Sequence, residues 1–113
     1  MVCRDNLVTD AFTWSYEDKY GNTETYSIPK INLYSEEVNS LNKEIYDFLY
    51  EMVVYTQNSY EEFGSSDGCH EIKYSWHIYD NILCLDVCYE YTAMGTPHMY
   101  YLIDINKGSR IRW

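Results

Sequence analysis

The residues with most chemical potential are His77 and Cys84, which stand on either side of Asp80-Asn81. Asp and Asn tolerate positive φ and therefore suit a two-residue hairpin turn. If that turn forms, Ile78 faces Leu83, His77 faces Cys84, Ser75 faces Asp86 and Lys73 faces Cys88. An imidazole beside a thiol is the pairing that generates a thiolate nucleophile. A small cysteine-dependent hydrolase using Cys84 and His77 is thus one reading. Against it, no orienting acid or oxyanion pair is evident near either cysteine. Free Cys also fills sheet faces simply as a small hydrophobe.

Metal chemistry finds no support in the spacings. Cys84 and Cys88 share a strand face but lie about 13 Å apart along it, too far for a disulfide or for two ligands of one zinc. His70, His77, His98, Cys69 and Cys84 match no recognised ligand spacing, so neither metal nor cofactor is expected. Redox compartment cannot be read from cysteine here. If a third strand follows a loop at residues 93–97, Asp86 comes beside Asp104, and two adjacent carboxylates could bind a cation or raise one pKa. Solvated charge is the commoner account. Asp104 to Gly108 looks like part of a calcium loop, but its glycine comes one position early and the distal Glu is missing.

Fourteen tyrosines and three tryptophans exceed what a core of this size can absorb. Tyr46, Tyr50, Tyr79 and Tyr100 are expected to face away from it. Exposed rings stack on sugars or anchor protein interfaces, and with Asp86 and Asp104 these four make the candidate binding set. The plainer alternative is that Tyr serves as one more β-former.

The elements that would position these groups follow from periodicity. Phe12, Trp14 and Tyr16 alternate with polar residues, and a turn at 19–22 leads to a second extended run from Thr23 to Ile28, where Pro29 marks a strand end or edge. Ser35 is a good N-cap and is followed by Glu36 and Glu37. Val38, Leu41, Ile45, Leu49, Met52 and Tyr55 then form a helical stripe that fades near Asn58. Two β-rich runs at 70–79 and 82–92 meet at the Asp80-Asn81 turn. In that register Ile72, Tyr74, Trp76 and Ile78 pair with Tyr89, Val87, Leu85 and Leu83, so that one face is wholly apolar or aromatic. The third strand would set Met99, Tyr101, Ile103 and Ile105 beside Tyr91, Tyr89, Val87 and Leu85. The order β-β-α-β-β-β describes an α+β domain, an antiparallel sheet with one long helix on its apolar face. It occupies 1–113 as a single domain, with residues 1–11 a flexible N-terminal segment.

Length and charge narrow the functions. At 113 residues and 46% hydrophobic, the chain can bury one core without metal or disulfide staples. No apolar run reaches the roughly 18 residues that span a bilayer, and no leader-like pattern opens the chain, so a soluble protein is expected. Eighteen acidic against eight basic side chains give a net charge of -10, which repels phosphate backbones and disfavours nucleic acid.

Several stretches carry a family resemblance: Ile28-Pro29-Lys30-Ile31, then Val38, Leu41-Asn42 and Ile45, then Tyr74 and Trp76 ahead of Leu83 and Leu85, and last Tyr101 to Ile105 with Gly108. In order and spacing, residues 12–113 resemble a domain of bacterial cell-envelope proteins. That domain stands ahead of the catalytic domain in peptidoglycan deacetylases and in the outer part of lysozyme-sensing anti-sigma factors. The resemblance implies an extracytoplasmic, cell-surface α+β module without catalytic residues of its own. It would contact a cell-wall glycan or a basic protein such as lysozyme. The sequence contains no deacetylase metal motif, membrane anchor or second sensor domain, so what carries over is a wall-associated binding or sensing role. A purely structural or oligomerisation domain is the remaining alternative.

Overall fold

The computed structural model describes residues 6–17, 20–21, 23–64, 69–91 and 95–111. The chain runs β1 (Val8–Glu17), β2 (Thr23–Ile31), α1 (Glu36–Phe63), β3 (Cys69–Tyr79), β4 (Ile82–Tyr91), β5 (His98–Asp104) and β6 (Ser109–Ile111). The six strands form one sheet in chain order. It is α+β, as the periodicity implies. Every neighbouring pair is antiparallel except β2 and β3, because α1 carries the chain back across the sheet between them.

The hairpin at Asp80-Asn81 forms in the expected register. Both residues have positive φ, 49° and 60°, and Trp76 pairs with Leu85, Tyr74 with Val87 and His77 with Cys84. Leu83, Leu85 and Val87 are buried with Tyr26, Ile28, Ile72 and Ile103 under Val38, Leu41, Ile45, Leu49 and Val53 of the helix. Ser35 caps α1 by accepting the Val38 N–H at 3.1 Å. Its hydroxyl also donates to the Gly108 carbonyl at 2.6 Å, tying the helix start to the β5–β6 turn.

The buried stripe advances in longer steps than expected at its far end. It continues through Val53, Thr56 and Tyr60, because a period of 3.6 from Leu49 lands there; Met52 is partly buried against the core beside it. Tyr55 is exposed. Thr56 can be buried because its hydroxyl donates to the Met52 carbonyl at 2.8 Å. The helix also outlasts Asn58 by more than a turn, ending where Gly64 adopts φ 71° and its N–H donates to the Tyr60 carbonyl. The loop expected at 64–68 lies otherwise outside the described residues.

Three further expectations are corrected. β1 begins at Val8, and Leu7 and Val8 are buried, so residues 7–11 belong to the folded body rather than to a flexible segment. Residues 1–5 lie outside the described region. Pro29 sits inside β2, an interior strand, opposite a bulge between Asp10 and Phe12 where ladder pairing is already interrupted. The β4–β5 register is displaced by four residues: Leu83 pairs with Ile103, Leu85 with Tyr101 and Val87 with Met99. An even displacement keeps every side chain on its face. Pairing stops where the Tyr89 N–H donates to the Pro97 carbonyl at 3.3 Å, since Pro97 has no N–H with which to extend the ladder.

Candidate binding surface

On the sheet face opposite the helix, His77 and Cys84 are direct cross-strand partners. No hydrogen bond joins them. The Cys84 sulfur lies 4.0 Å from the Ile82 carbonyl of its own strand. Among the described residues, no group of three His, Cys, Asp or Glu side chains is placed to hold a metal ion. Cys88 is buried, and burial pushes its thiol above the usual range. Lys73 opposes that rise, while Asp86, Glu71 and Glu90 add to it. The thiolate needed for nucleophilic attack is thereby suppressed. Alkylation with iodoacetamide at pH 8, followed by peptide mapping, is expected to label Cys88 several-fold more slowly than a free cysteine in a peptide; equal rates would show that its packing is misplaced.

The observed register separates the carboxylates that the expected one brings together. Asp86 lies between Ser75 and Tyr100, whereas Asp104 is opposite Ile82. Asp86 accepts from or pairs with His98 Nδ1 at 2.9 Å. The His98 ring stacks on Tyr100 with centroids 5.8 Å apart. The spacing of His98 fits no zinc pattern, and its partnership with Asp86 depends on the observed β4–β5 register. Asp104 closes the β5–β6 turn, its side chain accepting the Lys107 N–H at 3.0 Å and its carbonyl the Gly108 N–H at 2.8 Å.

Of the four tyrosines, Tyr50, Tyr79 and Tyr100 are exposed. Tyr46 is instead partly buried against the core. It stacks on Tyr50 with centroids 5.2 Å apart, and Tyr50 meets Phe12 of β1 edge-on at 5.3 Å. These two rings belong to the helix layer, and Asp86 with Tyr100 to the opposite sheet face. Tyr79 and Asp104 lie at strand ends. The structure therefore does not gather the candidate set into one site.

A different surface emerges on α1. Its 28 residues carry seven carboxylates and one lysine, more than half the net charge of the chain. Glu37, Glu44 and Glu51 are spaced by sevens, as are Phe48, Tyr55 and Glu62. Residues seven apart fall two turns along nearly the same line of a helix, so the two sets form adjacent rows, and all six side chains are exposed. Phe48 leans edge-on against Tyr89 at 5.7 Å. Glu44 faces Arg110 at 3.5 Å, whose guanidinium lies 5.1 Å from the Tyr101 ring centre. Among the described residues, the other carboxylates of the rows, Glu37, Glu51 and Glu62, make no ion pair. The signal was present in the sequence, but placing Tyr55 on the core stripe concealed it.

No family model, curated protein or solved structure matches the chain. None links it to the cell-envelope domains its sequence resembles. The described helices include none long and apolar enough to cross a membrane.

Proposed function

We propose that this protein is a non-catalytic binding module for a basic protein, acting at the bacterial cell envelope as the sequence resemblance implies. The observation that carries the reading is the double row on α1, where carboxylates alternate with the exposed rings of Phe48 and Tyr55. Opposite fields steer association and raise on-rates, and aromatic rings flanked by charge supply contact area once the partner arrives. A glycan uses ring faces and hydrogen bonds but draws nothing from a charge of -10. The acidic surface therefore favours the protein ligand over the wall polysaccharide.

Titration with lysozyme, used as a basic probe, tests this reading beside a pull-down on insoluble peptidoglycan. Binding to lysozyme that weakens steeply with added salt is expected. The double substitution Glu51→Lys with Glu62→Lys should reduce affinity by about tenfold or more at low ionic strength. The helix should tolerate it, because both positions are exposed and at Glu62, in the last turn, lysine suits the dipole better than glutamate does. Loss of neither affinity nor salt dependence in the double variant, or no binding to the basic probe at all, would remove the reading.

A further inference from the structure

The sheet has two outer strands, and they differ in how they are protected. Exposed strand edges invite pairing, and proteins blunt them by shortness, lysine, proline, bulges or a covering element. β6 is three residues long. β1 is ten residues long and holds neither lysine nor proline. Its one irregularity, the bulge at Asp10/Phe12, leaves regular strand from Phe12 to Glu17. Among the described residues nothing pairs with its outer edge.

The outward hydrogen-bonding groups can be named. The Ile31 N–H and carbonyl are both bonded to the Asn42 side chain of α1, so they point away from β1, and those of Asn32 point toward it, its N–H donating to the Leu7 carbonyl. Alternation along β2 then turns Ile28, Tyr26 and Glu24 toward β1. Their partners Phe12, Trp14 and Tyr16 carry the ladder bonds. The N–H and carbonyl groups of Thr13, Ser15 and Glu17 consequently face outward.

Side chains define what would fit there. On the helix side, Phe12, Trp14 and Tyr16 are half-buried, and they continue into Tyr50 and Tyr60, the latter stacked on Tyr16 at 3.7 Å. Exposed carboxylates, Asp10 and Glu17, bracket the row. A second copy pairing antiparallel through the same outward groups, Thr13 opposite Ser15, would set each Glu17 opposite Ala11, next to Asp10, and join two chains of charge -10, which is unfavourable. An extended segment with basic residues at both ends and apolar side chains between them meets the same edge favourably.

We propose that the outer edge of β1 accepts such a segment from the basic partner as a seventh strand. This rests on the basic-partner reading above and adds the place and conformation of contact. The probe is a synthetic heptapeptide alternating valine and threonine between terminal lysines, with a glutamate-ended counterpart as control. Saturating lysine-ended peptide is expected to slow amide exchange at Thr13, Ser15 and Glu17 by about tenfold or more, with little change at Phe12, Trp14 and Tyr16, which are already bonded. Ser15→Pro deletes one outward N–H, which an edge strand tolerates without unfolding, and should abolish the effect while leaving the melting temperature near that of the parent. Unchanged exchange at the three amides, equal binding of the glutamate-ended peptide, or concentration-dependent dimers that bury the same amides would each overturn the proposal. If Ser15→Pro binds lysozyme as the parent does, the edge proposal falls and the helix-surface reading stands; if the parent binds no basic probe, both fall.

Discussion

Leu85→Ala is expected to lower the stability of the fold by about 2–5 kcal/mol, through lost burial plus the cavity left behind. The upper half of that range is favoured by position. Leu85 is 1% exposed, and β4 is held on one side by β3 and on the other by β5, with Leu85 between Trp76 and Tyr101. A strand bonded along both edges cannot sink into the hole as a loop would. Domains of this size have total stabilities of about 5–15 kcal/mol, so the variant should lose roughly a third of its stability and melt at least about 8 °C lower. Urea titration followed by tryptophan fluorescence measures it. Cys84→Ala, next along the strand but on the opposite face, should cost less than about 1 kcal/mol. Equal effects at the two positions would mean that the apolar face is assigned to the wrong side.

That contrast is legible in the sequence, and the reason is local. A two-residue turn fixes its flanking register, and only one register sorts Ile72, Trp76, Leu83 and Leu85 onto one face. The α1 start was equally legible, since Ser35 and the two glutamates after it satisfy the cap and dipole together. Longer connections carry no such constraint. Between β4 and β5 the pattern determines the face of Tyr101 and Ile103 but not their height, because a displacement of four preserves alternation. Asp86 thereby lost Asp104 and gained His98. Pro29 was misjudged for a related reason: a bulge in β1 accommodates it, and bulges leave almost no mark on composition. The acidic rows of α1 were visible as residues but not as a surface until the stripe was followed to Val53, Thr56 and Tyr60.

The parallel junction of β2 and β3 depends on a residue whose importance sequence pattern alone does not reveal. Among the described residues that junction has a single bridge, Tyr26 with Ile72. In the same register the next bridge would need an N–H from Pro29, which has none, and the ladder stops. Farther along β2, the Ile31 N–H donates to Asn42 Oδ1 and the Ile31 carbonyl accepts from Asn42 Nδ2, both at 2.9 Å. A carboxamide presents one donor and one acceptor, as a peptide group does, so Asn42 substitutes for the missing strand at a residue only 1% exposed. Asn42→Leu fills the volume but leaves both main-chain groups without partners, and is expected to cost about 2–4 kcal/mol. Asn42→Asp keeps an acceptor for the N–H but sets a carboxylate against the Ile31 carbonyl. Folding should therefore raise that carboxyl's pKa. The protonated form, which can donate, is favoured in the fold, so the penalty is small below the unfolded value of about 4 and grows as pH rises through it. Urea midpoints at pH 3.5 and pH 7 distinguish the cases. The difference between parent and Asn42→Asp should be larger at pH 7, whereas the deficit of Asn42→Leu should be alike at both. A pH-independent deficit for Asn42→Asp would show that the carboxamide does not bridge Ile31, and the account of why the sheet remains closed beyond Pro29 would fail with it.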